Sequence, residues 1–127
     1  MILPVLFIAP SPGKGRGVYT SEDLDAGTTV EISPVIVMSA EERRLLDQTT
    51  LHDYIFEWGH QQTHCCMAMG YVPVYNHSYS SSCEYEMDYE NEMIRIHTIR
   101  AVAAGEELTI NYNGEWNDAK KLWFDAK

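Results

Sequence analysis

Three short segments contain residue combinations suited to binding or catalysis. The first is Gly13-Lys14-Gly15-Arg16-Gly17, whose glycines let a ligand approach the backbone or supply positive φ angles. The second is Tyr75-Asn76-His77-Ser78, where three hydrogen-bonding side chains follow an apolar run and could fix a polar ligand. The third, residues 104–112, is a turn and a short strand that end on Tyr112. Each segment, taken alone, also suits an ordinary turn or core strand.

The glycine-rich segment does not fit the two common phosphate-binding motifs. No helix opens after it, because Val18-Tyr19-Thr20 is strand-like, and this excludes a dinucleotide-binding fingerprint. A P-loop is excluded too, since no Gly-Lys-Ser or Gly-Lys-Thr follows. By itself the segment is interpreted as a turn between strands.

The elements around these segments are short apolar runs punctuated by Gly and Pro, a pattern typical of a β-rich chain with little helix. We expect buried or half-buried strands at 5–8, 18–20, 28–32, 35–38, 54–58, 65–69, 84–90, 93–99 and 108–110. Ser39, three residues before Glu42, predicts a capping box that begins a helix over 40–48. Trp116, Trp123 and Phe124 are spaced for a short amphipathic helix in the tail.

Length and charge limit the classes of protein that remain. The 127 residues allow one domain with one core, and the formal net charge is −10. This charge disfavours direct contact with nucleic acid or an anionic membrane, and it favours a cationic partner. No Lys or Arg lies between Arg44 and Arg95, a stretch that holds eight acidic residues. A solvated acidic face is the alternative interpretation of that stretch.

Cysteine use bears on the cellular compartment and on metal binding. Cys65, Cys66 and Cys83 cannot all pair internally, which favours a reducing compartment. The apolar residues 1–8 fall short of the roughly 20 that span a bilayer, and they lack a cationic signal-peptide region. We expect a cytoplasmic protein, with a nuclear location or export into a host left open. His60, His64, Cys65 and Cys66 lie close enough in the sequence to suggest zinc, but adjacent cysteines rarely bind one tetrahedral ion, so we expect no metal.

The order of the three segments resembles the SET domain, the family of protein-lysine methyltransferases that use S-adenosylmethionine. Gly15-Arg16-Gly17-Val18-Tyr19 looks like the first family motif, and residues 25–31 look like the turn and strand that follow it. Asn76-His77-Ser78 matches the central signature, and residues 105–112 match the last one. The resemblance covers about residues 4–113. It implies a mainly β fold of small curled sheets with few short helices, in which the Asn-His-Ser strand and the C-terminal segment form a pseudoknot.

The resemblance also implies roles for individual residues. S-adenosylmethionine is expected to contact Gly15, Arg16, Gly17, Asn76 and His77, with Tyr54 and Trp116 as further candidates. Tyr112 aligns with the catalytic tyrosine of the family. The substrate implied is a lysine-containing basic protein or peptide, such as a histone, with Tyr75 and Ile110 as candidate substrate-binding residues. Glu84 and Glu86 belong to the acidic stretch, and we expect their charge to attract a lysine-rich substrate by long-range steering.

One SET-like domain over 1–127 is implied, with residues 114–127 as a lid or helix and no zinc-binding segment after the domain. A homodimer is a further option, because some very small relatives dimerise.

Three departures from the family pattern keep alternatives open. Tyr79-Ser80-Ser81-Ser82 replaces Cys-x-Pro-Asn, Asn111 replaces a common Asp, and Ile32-Ser33-Pro34-Val35 replaces Tyr-x-Gly. One alternative is a catalytically degenerate module of the same fold that binds a basic peptide or the cofactor. The other is a zinc-stabilised β domain with an unrelated role.

Overall fold

The computed structural model describes residues 1–59 and 63–112, which contain nine strands. In chain order these are β1 (Leu6–Ser11), β2 (Gly15–Thr20), β3 (Thr29–Met38), β4 (Phe56–Trp58), β5 (His64–Ala68), β6 (Asn76–His77), β7 (Cys83–Asp88), β8 (Met93–Thr98) and β9 (Glu107–Ile110). One helix, α1 (Ala40–Leu46), and 3₁₀ helices at Thr50–Asp53 and Val72–Val74 connect them. The prediction of a mainly β fold with few short helices is confirmed.

The strands form two sheets. The first has the order β1-β2-β9-β6, and the second has the order β4-β5-β3-β8-β7. A cluster of buried apolar side chains draws on both sheets and includes Val18, Tyr75, Ile94, Ile96 and Leu108. Burial of such side chains is the main source of stability for a domain of this size.

The first sheet brings the three candidate segments together. β9 pairs antiparallel with β2, at Val18 with Leu108, and parallel with β6, at His77 with Ile110. The glycine-rich segment therefore enters β2 on one side of β9, and Asn76 and His77 lie on its other side. Tyr112 follows two residues after β9 ends. The path of the chain after residue 112 is outside the described residues, so the predicted pseudoknot stays a prediction.

The prediction of two strands, at 28–32 and 35–38, separated at Pro34 is wrong. Residues 29–38 form the single strand β3, which pairs with β8 through Pro34 and with β5 from Val35 onward. Pro34 has no N–H to donate, but its carbonyl accepts from Met69, and the next residue donates from its own N–H to Glu92. Pairing therefore continues past the proline on both sides of the strand.

The predicted helix start is confirmed, whereas the strand at 54–58 is shorter than expected. The Glu42 N–H donates to Ser39 Oγ at 3.1 Å, so Ser39 caps α1. Tyr54 ends the first 3₁₀ helix and lies outside β4. Within residues 1–59 and 63–112, the helices are all too short or too polar to cross a membrane.

Candidate active site

The glycine-rich segment is shaped by a close approach between β2 and its neighbours. Gly15 has a φ of 76°, in the left-handed region that favours glycine. At Gly17 a Cβ would collide with the Glu107 carboxylate and would lie 2.9 Å from Asn76 Nδ2. Gly17 is therefore glycine because polar side chains from β9 and β6 already occupy the space beside its backbone.

Asn76 is oriented by two hydrogen bonds from its amide nitrogen. Nδ2 donates to Glu107 Oε2 at 2.7 Å and to the carbonyl of Arg16 at 3.0 Å. An amide nitrogen has two hydrogens, so both donors of the side chain are engaged by the protein. The atom through which Asn76 can take a ligand is therefore its oxygen, which accepts hydrogen bonds.

Glu107 ties three strands together at this point. Its second oxygen accepts from Ser11 Oγ at 2.9 Å, so one carboxylate contacts residues of β1 and β6 from its own position on β9. In the described part of the chain, this carboxylate has no ion-pair partner. It therefore leaves negative charge beside the side-chain amide of Asn76, which suits a cationic group.

Two cations of the glycine-rich segment lie near the same place. Lys14 Nζ donates to the carbonyl of His77 at 2.9 Å, which joins the segment to β6. Arg16 is exposed, and its carbonyl is the one that Asn76 contacts. Positive charge is thus available on the glycine-rich side of the site, opposite in sign to Glu107.

His77 is a buried imidazole, and among the described residues only one of its two ring nitrogens has a hydrogen-bond partner. Nδ1 accepts from the backbone N–H of Tyr112 at 3.1 Å, so in the neutral ring the hydrogen is on Nε2. Among the described residues, Nε2 is buried without a hydrogen-bond partner. Burial, and then the charge of Lys14, lowers the pKa of His77. Buried donors usually find partners, so the Nε2–H is a candidate hydrogen-bond donor outside the described contacts.

Tyr112 is held by its hydroxyl, its carbonyl and its ring. The hydroxyl donates to the Tyr75 carbonyl at 2.7 Å, and the Tyr112 carbonyl accepts from the Tyr85 hydroxyl at 3.1 Å. The ring packs edge-on against Phe56 and lies 5.1 Å from the ring of His77, measured between centroids. These contacts come from three strands, β4, β6 and β7, and from Tyr75 directly before β6, so the position of Tyr112 depends on the tertiary fold.

The phenol of Tyr112 stays protonated at neutral pH. Burial raises its pKa, and the nearby Tyr54, Asp53 and Glu107 raise the pKa further. The phenol therefore does not act as a base at pH 7. Because its hydrogen goes to the Tyr75 carbonyl, its oxygen meets any further donor as an acceptor.

Three predicted contact residues differ in their access to solvent. Tyr54 is 44% exposed and close enough to Tyr112 to affect its pKa, so it lies at the rim of the site. Tyr75 and Ile110 are fully buried. Substrate contact through either of these two side chains does not fit this arrangement. The Tyr75 carbonyl contacts the hydroxyl of Tyr112.

The predicted acidic contacts lie on the outer face of β7. Glu84 faces His97 and Glu86 faces Arg95 on β8, each at 3.9 Å. Successive side chains of a strand point to opposite faces, so both carboxylates point away from the side of Tyr85 that reaches Tyr112. This placement does not suit direct contact with a substrate at Tyr112, and the expected long-range attraction of a basic substrate stays a prediction.

Other predicted features fall partly or wholly outside the described residues. Trp116, the lid at 114–127 and His60 belong to the undescribed segments. In residues 1–59 and 63–112, no group of three or more His, Cys, Asp or Glu side chains could hold a metal ion. Cys65 and Cys66 are successive residues of β5, and burial raises the pKa of Cys66 to about 12, so its thiol stays protonated.

The sequence interpretation assigned no role to Glu31, Glu107 or Lys14. Glu31 stands in the apolar run of β3, where an acid is unexpected and its period-two neighbours Ser33 and Val35 are buried. That misfit was the available signal for a buried polar cluster. The partners of Glu107 and Lys14 are far away in the chain, and no local pattern indicates them.

The fold and the convergent segments define a SET domain, and comparison with known proteins agrees. The SET domain family profile matches residues 15–113. Over 121 residues the chain is 33% identical to the "Histone-lysine N-methyltransferase, H3 lysine-37 specific" of Schizosaccharomyces pombe, covering 94% of this chain and 77% of that protein. The chain belongs to the SET-domain family of protein-lysine methyltransferases.

Solved structures show the same fold at lower sequence identity. A candidate histone methyltransferase of Plasmodium falciparum superposes with a TM-score of 0.68 at 24% identity, covering 91% of this chain and 98% of that chain. A humanized mutant of the Chaetomium thermophilum Polycomb Repressive Complex 2, bound to an inhibitor, superposes with a TM-score of 0.69 at 21% identity. That match covers 85% of this chain and 14% of the other chain.

Proposed function

We propose that the protein transfers a methyl group from S-adenosylmethionine to the side-chain amine of a lysine in a basic protein, with histones as the first substrates to test. One observation carries the proposal. The Tyr112 hydroxyl rests on the carbonyl of Tyr75, the residue directly before Asn76 and His77. The family's catalytic tyrosine and its central signature thus meet at one point. The name of the Schizosaccharomyces pombe relative supports the substrate class.

The side chains present suit S-adenosylmethionine by their chemistry. The Asn76 oxygen and the Glu107 carboxylate would accept from its ammonium, and Lys14 and Arg16 would face its carboxylate. The His77 Nε2–H, which has no partner among the described residues, is a candidate donor for a ring or ribose acceptor. When bound, this cofactor supplies an electrophilic methyl group on a positively charged sulfur.

The nucleophile must be a neutral amine. Free lysine has a pKa of about 10.4, so at pH 7 it is almost entirely ammonium and has no lone pair for attack. Desolvation disfavours the charged form and lowers the pKa of an amine. The ring of Phe56 packs edge-on against Tyr85 and Tyr112, with centroid distances of 5.3 and 6.3 Å, and these aromatic rings would provide such a desolvating wall. The proton leaves to solvent before transfer.

Tyr112 aligns the amine and does not deprotonate it. Its raised pKa keeps the phenol protonated, and its hydrogen is given to the Tyr75 carbonyl. Its oxygen can therefore accept an N–H of the incoming amine and fix the direction of the nitrogen lone pair. Such fixing of the reacting groups supplies much of the rate in a displacement between two bound partners.

The degenerate-module alternative rests on the departures from the family pattern, and the structure shows how one of them is accommodated. Ser82 exchanges two hydrogen bonds with Thr109 of β9: its N–H donates to Thr109 Oγ1 at 3.2 Å, and the Thr109 N–H donates to Ser82 Oγ at 3.1 Å. The replaced segment is therefore still joined to the central strand. This favours a working site over a degenerate one.

The experiment is transfer of label from methyl-labelled S-adenosylmethionine to core histones and to a lysine-free control protein. Mass spectrometry of the histones would then locate the modified lysine. Donor binding is measured separately by calorimetry. Label on histone lysine that Tyr112→Phe abolishes supports the enzyme. Donor binding without transfer to any basic protein supports the module, and absence of both contradicts the proposal.

We also propose a reducing intracellular location and a basic protein partner. Cys65, Cys66 and Cys83 are all free and buried, which suits a compartment that keeps thiols reduced. The net charge of −10 favours a cationic partner over nucleic acid. A homodimer is testable by light scattering, with a mass near twice 14.5 kDa as the supporting result.

A further inference from the structure

Glu31, in the middle of β3, is a fully buried carboxylate that the proposed reaction does not use. Among the described residues it has no ion-pair partner. Three donors surround it instead: Ser33 Oγ at 2.6 Å, the N–H of Tyr71 at 2.8 Å and the hydroxyl of Tyr75 at 3.0 Å. A carboxylate without a counter-ion is costly to bury, so its three hydrogen bonds have to compensate.

The surrounding backbone is built to fit this carboxylate. Gly70 has a φ of 65°, and a Cβ there would collide with Glu31 Oε2 and would lie 2.5 Å from Ser33 Oγ. Glycine is therefore required at this position by conformation and by space. The chain turns at Gly70 directly over the carboxylate and then offers it the N–H of Tyr71.

The donors of Glu31 bracket the segment that leads into the active site. Tyr71 and Tyr75 flank the 3₁₀ helix Val72–Val74, so the carboxylate holds both ends of that turn against β3. Tyr75 has a second contact, because its carbonyl accepts the Tyr112 hydroxyl at 2.7 Å. Tyr75 thus contacts Glu31 through its side chain and Tyr112 through its backbone.

We infer that Glu31 is a positioning residue for the methyl-transfer reaction: by fixing Tyr75, it sets where the Tyr75 carbonyl holds the hydroxyl of Tyr112. The inference rests on the proposed function for its kinetic readout only. The mechanical link between Glu31 and Tyr112 is present in the structure whatever the reaction is.

A purely structural role makes a different prediction. If Glu31 only stabilised the fold, loss of any one of its hydrogen bonds would lower the melting temperature and leave turnover per folded molecule unchanged. A positioning role singles out the bond to Tyr75, because that donor alone also contacts Tyr112. Ser33 and Tyr75 therefore provide a matched pair, each giving one side-chain hydrogen bond to the same carboxylate.

The test compares Tyr75→Phe with Ser33→Ala in the full chain. Both changes should lower the melting temperature. Only Tyr75→Phe should lower kcat, by about tenfold or more, with the KM for a histone peptide and the donor Kd within about twofold, since small misplacements of reacting groups cost up to about 100-fold. In Tyr75→Phe/Glu31→Gln the loss in kcat should not exceed that of the larger single change, because both act through one contact.

A second measurement tests the link between Glu31 and Tyr112 without relying on methyl transfer. Tyrosine ring-labelled protein gives a Tyr112 resonance, identified by its absence in Tyr112→Phe. This resonance should shift in Tyr75→Phe and in Glu31→Gln but not in Ser33→Ala. If the wild type transfers no methyl group, the proposed function is contradicted. The shift of the Tyr112 resonance still shows whether Glu31 and Tyr75 determine the position of Tyr112.

Equal effects of Tyr75→Phe and Ser33→Ala on kcat, or an unshifted Tyr112 resonance in Tyr75→Phe, would overturn the inference. If neither Tyr75→Phe nor Glu31→Gln folds, support of the fold accounts for Glu31, and the inference is likewise overturned.

Discussion

The backbone N–H of Tyr112 donates a hydrogen bond to Nδ1 of His77 at 3.1 Å. A backbone N–H can only donate, so this nitrogen of His77 must be unprotonated while the bond exists. The bond joins a residue expected to contact the cofactor to the tyrosine proposed to align the amine. Protonation of one imidazole would therefore disturb both halves of the site.

Stability should fall as the pH drops below the ordinary histidine range. Burial and Lys14 lower the pKa of folded His77, whereas the unfolded chain titrates near 6.5. Below about pH 6.5 the unfolded state binds the proton first, so the free energy of unfolding decreases with falling pH down to the folded pKa. Thermal melts between about pH 7.5 and 5 measure this change.

The matched variants are His77→Gln and His64→Gln. His64 is exposed, so its removal should leave the pH dependence intact, whereas His77→Gln should flatten it above about pH 5, where carboxylates have not yet titrated. We expect kcat of the wild type to decrease over the same acidic pH range. A wild-type curve that stays level from pH 7 to 5.5 would contradict the assigned role of this histidine.

Tyr112→Phe should remove most methyl transfer and leave the fold intact. The change deletes the oxygen proposed to accept the amine, along with one hydrogen bond to the Tyr75 carbonyl that contributes about 1 kcal/mol. We expect kcat to fall by about 100-fold or more, because alignment of the amine is lost. Label transfer and a thermal melt measure the two effects separately.

Tyr19→Phe is the control for that change. The Tyr19 hydroxyl also donates to a backbone carbonyl, that of Pro10 at 3.0 Å, but it does so on the β1–β2 hairpin. It should cost a similar amount of stability and no turnover. Near-wild-type turnover in Tyr112→Phe would remove Tyr112 from the reaction.

Much of the fold was predictable from local residue patterns, and the strand predictions that are wrong have a physical cause. Alternation over 84–90 and the Ser39–Glu42 pair identified β7 and the start of α1, because these signals depend on neighbours in the chain. The strand break predicted at Pro34 is wrong, because a proline's effect on a strand depends on whether a neighbouring strand needs a hydrogen bond from that position. That information comes from the sheet partners and not from the run of residues itself.

The site was predictable as a set of motifs and not as a network. The motif resemblance identified Gly17, Asn76 and Tyr112, and the structure places them around β9. The contacts of Glu107 with Asn76 and of Glu31 with Tyr75 span 31 and 44 residues. Such pairs follow from strand order and register, which single-sequence periodicity does not fix.

Asn76→Ala should weaken binding of S-adenosylmethionine more than it lowers turnover at saturation. The change removes the proposed acceptor oxygen and leaves Glu107 without its amide donor. A hydrogen bond to a charged group contributes about 1.5–3 kcal/mol, so the donor Kd should rise by about tenfold or more. Calorimetry with the donor alone measures it, and an unaltered Kd would show that Asn76 is not a cofactor contact.

Glu107→Gln tests charge separately from shape. The amide keeps the size of the side chain but removes the negative charge beside Asn76, so cofactor binding should weaken while the strand pairing at Tyr19 persists. Glu106→Gln is the control, because that neighbouring carboxylate pairs with Arg100 at the surface, at 2.8 Å. Equal effects of the two changes on the donor Kd would argue against a specific role for Glu107.

Glu84→Gln/Glu86→Gln tests whether the acidic face of β7 guides a basic substrate. Both carboxylates face His97 and Arg95 and point away from Tyr85, so they can act on the substrate only at long range. Long-range attraction raises the rate of encounter and disappears with salt, since the Debye length falls from about 30 Å at 0.01 M to about 3 Å at 1 M. We therefore expect kcat/KM for a histone peptide to fall severalfold at low salt, with kcat unchanged and no difference at high salt.

The control for that pair is Glu22→Gln/Glu41→Gln, which removes the same charge from exposed positions on other elements. An equal loss in both double variants would assign the effect to net charge and not to β7. No loss in either would mean that Glu84 and Glu86 form an ordinary solvated face whose cross-strand pairs contribute little to stability, as exposed ion pairs generally do.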